Sequence, residues 1–279
     1  MSTIHDQAMN YVYQQVLQRL LSFFSRAERT ALQLLIQRLV AAAGGMERMG
    51  DYKVMVTPSG TRDSCYTLAL LRAADTAGIA ITLLPVLYQS SGFGAKPPRA
   101  DQARFIRSTD NMLSLLERLA PAAQAQGAVL GLAPHSLRAV PPDSLTAAVQ
   151  GLTALNSQAP IHIHIAEQTQ EVEDCIAWSG QRPVQRLLEH ARVDERWCLI
   201  HATHMTPAEY AGAAATGAVA GICPTTEANL GDGIFDMPLW LQHGGRWGVG
   251  SDSHACVNAA EELLMLEYGQ RLSLRQRNV

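Results

Sequence analysis

Ile161-His162-Ile163-His164-Ile165-Ala166-Glu167-Gln168, directly after Pro160, is the stretch whose reading decides the fold. Apolar and polar residues alternate along it, with β-branched Ile at every second place, and this period of two predicts a strand. The same period puts His162 and His164 on one face, with Ala166 following, and leaves Glu167 past the point where the strand gives way to a loop. An imidazole at a strand end, three residues before a carboxylate, is a useful pair for chemistry. One group can bind a metal while the other moves protons beside it. Two core histidines on a half-buried strand fit the pattern equally well, so the stretch alone leaves both readings open.

Outward from it the chain has a regular rhythm. Residues 8–48 read as helical, with apolar stripes at 11–24 and 27–43 stopped by Gly44-Gly45. A short strand is possible at 53–57, followed by helix 64–77 and an apolar strand at 79–88. After the loop 90–99, helix 110–125 leads to strand 128–134, and helix 142–156 leads to the strand at 161. Helices 170–178 and 183–191 precede strand 197–201, and helix 206–216 precedes strand 218–223. The loop 229–233 and a short helix lead to strand 247–250, and a last helix begins near Asn258. Strands alternating with helices in this way predict βα units and a parallel sheet. No G-x-G-x-x-G follows a strand and no P-loop is present, so a nucleotide-binding doubly wound sheet lacks its fingerprint.

Composition narrows the class of partner. The 279 residues are 47% hydrophobic and only 17% charged, which suits a protein with a sizeable core. A formal charge of −3 predicts neither nucleic acid nor an anionic membrane as partner. No apolar run is long enough to span a bilayer, and the first six residues show no signal-peptide pattern. The five cysteines are scattered without a C-x-x-C spacing, which points to reduced thiols and the cytoplasm.

The chemically useful side chains fall at the C-terminal ends of strands. His135 and Arg138 follow the strand at 128, His164 and Glu167 end the next, and His201 ends the one after. Asp252 follows the last, in Gly250-Ser251-Asp252-Ser253. In a (β/α)8 barrel all such positions open on one mouth, where that fold builds its site. Charged groups gathered there for packing alone would carry a desolvation cost without return. Imidazole and carboxylate without thiolate suit Zn²⁺ or Fe²⁺ in a catalytic site with a position left for water.

These motifs resemble the amidohydrolase superfamily in its mononuclear deaminase branch. Ala133-Pro-His-Ser-Leu-Arg138, His162-Ile-His-Ile-Ala-Glu-Gln-Thr-Gln170, His201-Ala-Thr-His-Met205, Cys223-Pro-Thr-Thr-Glu-Ala-Asn-Leu-Gly-Asp-Gly233 and Trp247-Gly-Val-Gly-Ser-Asp-Ser-His254 resemble the formimidoylglutamate deiminase family in particular. The resemblance runs from about residue 79 to 279. It implies an α/β fold, a (β/α)8 TIM-like barrel, and hydrolysis of N-formimidoyl-L-glutamate to N-formyl-L-glutamate and ammonia in histidine degradation. It also implies one divalent metal, Zn or Fe, with His164 and Asp252 as ligands. Asp252, Glu167 and His201 would be catalytic: Asp252 takes the water proton, Glu167 passes protons to the leaving ammonia, and His201 stabilises the adduct. His135 and Arg138 would hold the carboxylates of a small-molecule substrate, a task that suits the planar fork of Arg.

The resemblance breaks at both ends. That branch takes two metal ligands from an H-x-H on its first strand, and no H-x-H stands before residue 162. The expectation is therefore an incomplete barrel, with strands from the second or third to the eighth, and without the family's small β-sandwich. One domain over 1–279 is expected, with 1–60 as a diverged helical part and 61–279 as the barrel core. Unpaired barrel edges invite partner chains, and a homo-oligomer is one way to cover them. Two other functions stay open: a catalytically impaired remnant or binding subunit, and a related deaminase acting on a heterocyclic ring. His162 is expected to support its neighbours and His204 to stand beside a Thr206 N-cap and Pro207. His190 and His243 are expected at the surface or at helix ends, and His254 near the mouth. Cys223 is read as a small core residue.

Overall fold

In a computed structural model of the chain, residues 64–78, 80–253 and 257–277 are described. The strand expected at 53–57, the helices before it, the boundary at residue 60 and His254 lie outside the described residues. The chain divides into two compact units, Met1–Thr57 with Arg72–Ile79, and Pro58–Leu71 with Ala80–Val279. The strands and the candidate site belong to the second unit.

That unit is a run of βα repeats. Helix α1 (Ser64–Ala77), which passes into the other unit at Arg72, precedes β1 (Thr82–Leu83) and β2 (Val86–Leu87), and a 3₁₀ turn (Ala100–Phe105) leads to α2 (Thr109–Ala125). Then come β3 (Val129–Leu130), β4 (Ala133–Pro134), α3 (Pro142–Leu155), β5 (Ile161–Ile165), α4 (Thr169–Ser179), α5 (Pro183–His190) and β6 (Trp197–His201). The chain continues through α6 (Pro207–Ala215), β7 (Val219–Ile222), α7 (Pro224–Leu230), α8 (Met237–Gln242), β8 (Arg246–Val249) and α9 (Ala259–Leu274). The helix starts follow local chemistry. Thr206 and Glu209 form a reciprocal capping box with Pro207 in the first turn, as the sequence predicts.

The strand expected at 79–88 is interrupted in the middle. Its pairing to the next strand is nevertheless continuous: the amides of Val129, Gly131, Ala133 and His135 donate in turn to the carbonyls of Ile81, Leu83, Pro85 and Leu87, at 2.9–3.0 Å. Pro85 accepts but has no N–H to return, which breaks the pairing into β1 and β2. On its other side the second strand meets β5, through Leu132 N to Pro160 O (3.0 Å) and His164 N to His135 O (3.0 Å). From there β5, β6, β7 and β8 pair in chain order, all parallel. Six parallel strand positions thus form a continuous wall, each beside its sequence neighbour, as a β/α barrel requires.

The wall's buried apolar side is set by alternation. Ile161, Ile163 and Ile165 are fully buried and join the main core, while His162 and His164 take the half-exposed face. α2 adds Met112, Leu115, Leu116 and Leu119 at helical spacing. Strands pack so closely that a Cβ on Gly131 would stand 2.3 Å from the Pro160 carbonyl oxygen. At Gly248, on β8, an added Cβ would meet nothing within 4 Å. Gly131→Ala is therefore expected to lose about 3 kcal/mol of stability, because backbone must move. Gly248→Ala should change stability by less than about 1 kcal/mol. Urea unfolding of the two variants measures the contrast, and equal effects would contradict the strand contact.

Candidate active site

The candidate site lies at the C-terminal ends of the strands, and its geometry depends on where those strands stop being regular. In the β5–β6 register His164 pairs with Ile200, and Ile165 with His201. Register partners in a sheet share a face, so a regular strand would send His201 to the buried side with Ile165. Instead His201 has φ 66° and Ala202 φ 48°, a left-handed break that re-aims the imidazole. The ring centroids of His164 and His201 come within 5.6 Å. Two other strand ends break in the same way, at Ala166 (φ 48°) and Asp252 (φ 44°). Such backbone costs of order 1 kcal/mol per residue and persists where surrounding contacts fix it.

Each imidazole is held from behind. His164 Nδ1 lies 2.7 Å from the His135 carbonyl oxygen. A carbonyl can only accept, so Nδ1 carries the hydrogen and Nε2 faces Asp252 Oδ1, 3.9 Å away. His201 Nδ1 is 3.2 Å from Glu227 Oε1, and its Nε2 is 3.7 Å from Glu167 Oε1. Burial alone would lower the His201 pKa. The hydrogen bond to Glu227 and the charges of Glu167, Glu227 and Asp252 outweigh burial and raise it. The His164 imidazole holds the Asp252 carboxyl below the usual carboxylate range, against the opposing effect of burial.

Glu167 sits among these groups. Its Oε2 lies 3.3 Å from Arg138 Nη2, and its backbone N–H donates to Glu171 Oε2 at 3.0 Å. Arg138 Nε is 3.6 Å from Glu171 Oε1, so its guanidinium stands between two carboxylates with about a third of the side chain exposed. Burial raises the Glu171 pKa, with Arg138 opposing. His135 completes the wall, its ring 4.8 Å from that of His164 and 4.7 Å, edge-on, from Tyr88. The Arg138 segment is pinned from outside: Gln89 N and Ser90 N donate to Ala139 O, and Ser90 Oγ donates to Arg138 O.

All six sequence-derived candidates, His135, Arg138, His164, Glu167, His201 and Asp252, therefore meet in one place. Three residues the sequence reading passed over support them. Glu171 holds the Glu167 backbone. Glu227 holds His201. Thr226 accepts from Ser253 N (3.2 Å) and donates to Ser251 O (3.1 Å), fixing the turn that carries Asp252. In sequence each lies in the first turn of a helix, Glu171 after Thr169 and Thr226 and Glu227 after Pro224, where a polar residue reads as an ordinary cap. The other histidines take quiet positions. His204 Nε2 donates to Asp232 O at 2.7 Å, and His190 and His243 are exposed at helix ends. Burial pushes the Cys223 thiol pKa up, as expected of a core residue.

His164, His201 and Asp252 each offer one ligand atom, and the three lie within 4.8 Å of one another. Within that group His164, with Nδ1 fixed by the His135 carbonyl, and Asp252 form an imidazole–carboxylate pair of the kind that suits a zinc-type ion. A parallel βα wall gathering these groups at its strand ends is the architecture of a β/α barrel with its site at the mouth. The chain belongs to the amidohydrolase family, whose profile matches residues 44–279. It is 55% identical over 212 residues to a formimidoylglutamate deiminase of Pseudomonas aeruginosa, covering 76% of this chain and 46% of the relative. A 5-methylthioadenosine/S-adenosylhomocysteine deaminase of Nitratidesulfovibrio vulgaris is 31% identical over 194 residues, 68% of this chain and 41% of the relative. Among solved structures, an amidohydrolase from Brucella melitensis superposes with TM-score 0.73 at 49% identity, over 79% of this chain and 49% of that one. An adenosine deaminase from Xanthomonas campestris with bound zinc shares the fold at TM-score 0.64 and 19% identity, over 88% and 56% of the two chains. The chain thus spans about half the length of the first two relatives and of the Brucella structure. No described helix is long and apolar enough to cross a membrane.

Burial, then the neighbouring His164 and Arg138, push the His135 pKa down from 6.5 to about 3. Its folded value lies below its unfolded one, so the unfolded chain takes the proton first as pH falls. Stability from this residue is lost between about pH 7 and pH 3. His135→Gln is expected to lose less unfolding free energy than the unsubstituted chain between neutral pH and about pH 4, measured by urea titration. An unchanged pH slope would contradict a neutral, buried His135.

Proposed function

We propose that the site hydrolyses the amidine of N-formimidoyl-L-glutamate, giving N-formyl-L-glutamate and ammonia. The observation that carries this reading is the convergence of His164, Glu167, His201 and Asp252 within reach of one small molecule, with Arg138 at its border. The similarity to a protein named formimidoylglutamate deiminase supports the choice of substrate. A divalent ion at His164 and Asp252, with zinc the best match to the donor set, supplies Lewis acidity and an activated water when bound.

The chain's own residues do the rest. Asp252, held ionised, accepts the proton of the attacking water. Water oxygen adds to the amidine carbon, and His201 hydrogen-bonds the developing charge through Nε2, which faces the centre. A raised His201 pKa favours the doubly protonated ring that can donate there while Nδ1 stays on Glu227. Glu167, 3.7 Å from that Nε2, carries both water protons, the one taken by Asp252 and the one on the adduct's hydroxyl, to the departing nitrogen; the C–N bond breaks, the C=O bond forms and ammonia leaves. Arg138 pairs with a substrate carboxylate, and His135, being neutral, offers an N–H rather than a charge. The carboxylate-reading Arg138 favours a linear acidic substrate over a heterocyclic ring.

The test is metal content and ammonia release by the purified chain. Turnover is expected with bound zinc and should stop on chelation. Glu167→Gln and Asp252→Asn should each lower kcat at least a hundredfold, the order expected for loss of a proton-transfer group. Arg138→Ala should act mainly by raising KM. A chain that retains no metal and releases no ammonia would sink the enzyme reading and favour a non-catalytic member of the family.

A further inference from the structure

Glu227 exchanges no proton with substrate in the chemistry above, yet it is among the most deeply buried acids described, at 3% exposure. Its placement follows from the chain path. β7 pairs with β6 through Ile200 and Gly221, and one residue after β7 ends, at Cys223, the chain turns into α7. Glu227 stands one helical turn into α7, its N–H donating to Cys223 O at 2.9 Å. Its side chain folds back, and one oxygen, Oε1, accepts both from Cys223 N (2.8 Å) and from His201 Nδ1 (3.2 Å). The adjoining Thr226 and Thr225 fix the helix on either side, through Ser251 and Ser253 and through Glu262.

A carboxylate oxygen that already accepts from a backbone N–H can only accept from the imidazole too. The hydrogen is thus on His201 Nδ1, and Nε2 is turned toward Glu167. The ring is 1% exposed and its residue is in left-handed backbone, and Glu227 is the hydrogen-bond partner of Nδ1. His201, Cys223 and Glu227 also offer ligand atoms within 4.8 Å of one another. The hydrogen bonds account for that grouping without a metal, and a buried protonated thiol is a poor ligand.

We infer that Glu227 is a positioning residue that holds the His201 Nδ1 hydrogen and aims Nε2 into the reaction centre. This rests on the role proposed for His201, but the Nδ1 hydrogen itself can be read without turnover. Long-range ¹H–¹⁵N spectra of the imidazole nitrogens are compared for the zinc-loaded chain, Glu227→Gln and Glu227→Ala, alongside ammonia release. In the unsubstituted chain His201 Nδ1 is expected to carry a hydrogen. In Glu227→Ala that fixed signal should be lost, and kcat should fall by about tenfold to a hundredfold with KM within about twofold. Glu227→Gln keeps an acceptor oxygen, so it should retain the Nδ1 proton and recover most of kcat. An unprotonated Nδ1 in the unsubstituted chain overturns the inference, as does an Ala variant with unchanged spectra and kcat. Should the chain release no ammonia, the deimination reading fails and the His201 spectra alone decide the role of Glu227. Should Glu227→Ala not fold, the unsubstituted and Gln spectra decide it.

Discussion

The site depends on a backbone conformation that L-residues avoid. A regular β6 would bury His201 on the apolar side of the wall, beside Trp197 and Leu199. Left-handed His201 and Ala202 turn the imidazole round the strand end, where it meets His164 from a neighbouring strand of opposite parity. The cost of that turn is met by contacts around it. Ala202 N donates to Ile165 O at 3.0 Å, and His204 N donates to Ala166 O at 3.0 Å, tying the broken ends of β5 and β6 together. Strain of this kind is stable only where several bonds over-determine it, and here they do.

Much of that over-determination comes from one turn of α7. Thr225 binds Glu262 of α9, Thr226 holds the turn bearing Asp252, and Glu227 reaches His201. Three successive side chains therefore brace three elements. Such a cluster is stable only if each buried polar group finds a partner, since an unpaired buried carboxylate would cost several kcal/mol. The helix is short, but its position between β7 and β8 lets it set the spacing of residues far apart in sequence.

The wall and the candidate residues were legible because their signals are periodic. Ile161, Ile163 and Ile165 declare a strand, and the repeated appearance of His or Asp just past a strand declares a mouth. The manner of assembly was not legible. Period-two reasoning puts His164 and His201 on opposite faces, and only the φ reversal, which no side chain in His201-Ala202 announces, brings them together. Pro85 splits a strand whose hydrophobicity reads as unbroken, because apolar runs do not register a missing N–H. Glu171, Thr226 and Glu227 were passed over for a different reason. Polar residues in a first helical turn look like ordinary caps, and their burial arises only when distant elements pack on them.

The wall also has two banks of candidate residues. The strands on one side of the β4–β5 junction carry His135 and Arg138, anchored by the 89–90 segment, while β5 to β8 carry the imidazoles and acids around Asp252. The two groups touch where His135 meets His164 and where Arg138 meets Glu167 and Glu171. Substitutions near residues 88–90 and 135–139 can therefore reshape one bank while the spacing of the groups around Asp252 is kept. The His135 and Arg138 contacts are the seam along which the two banks would have to be re-fitted.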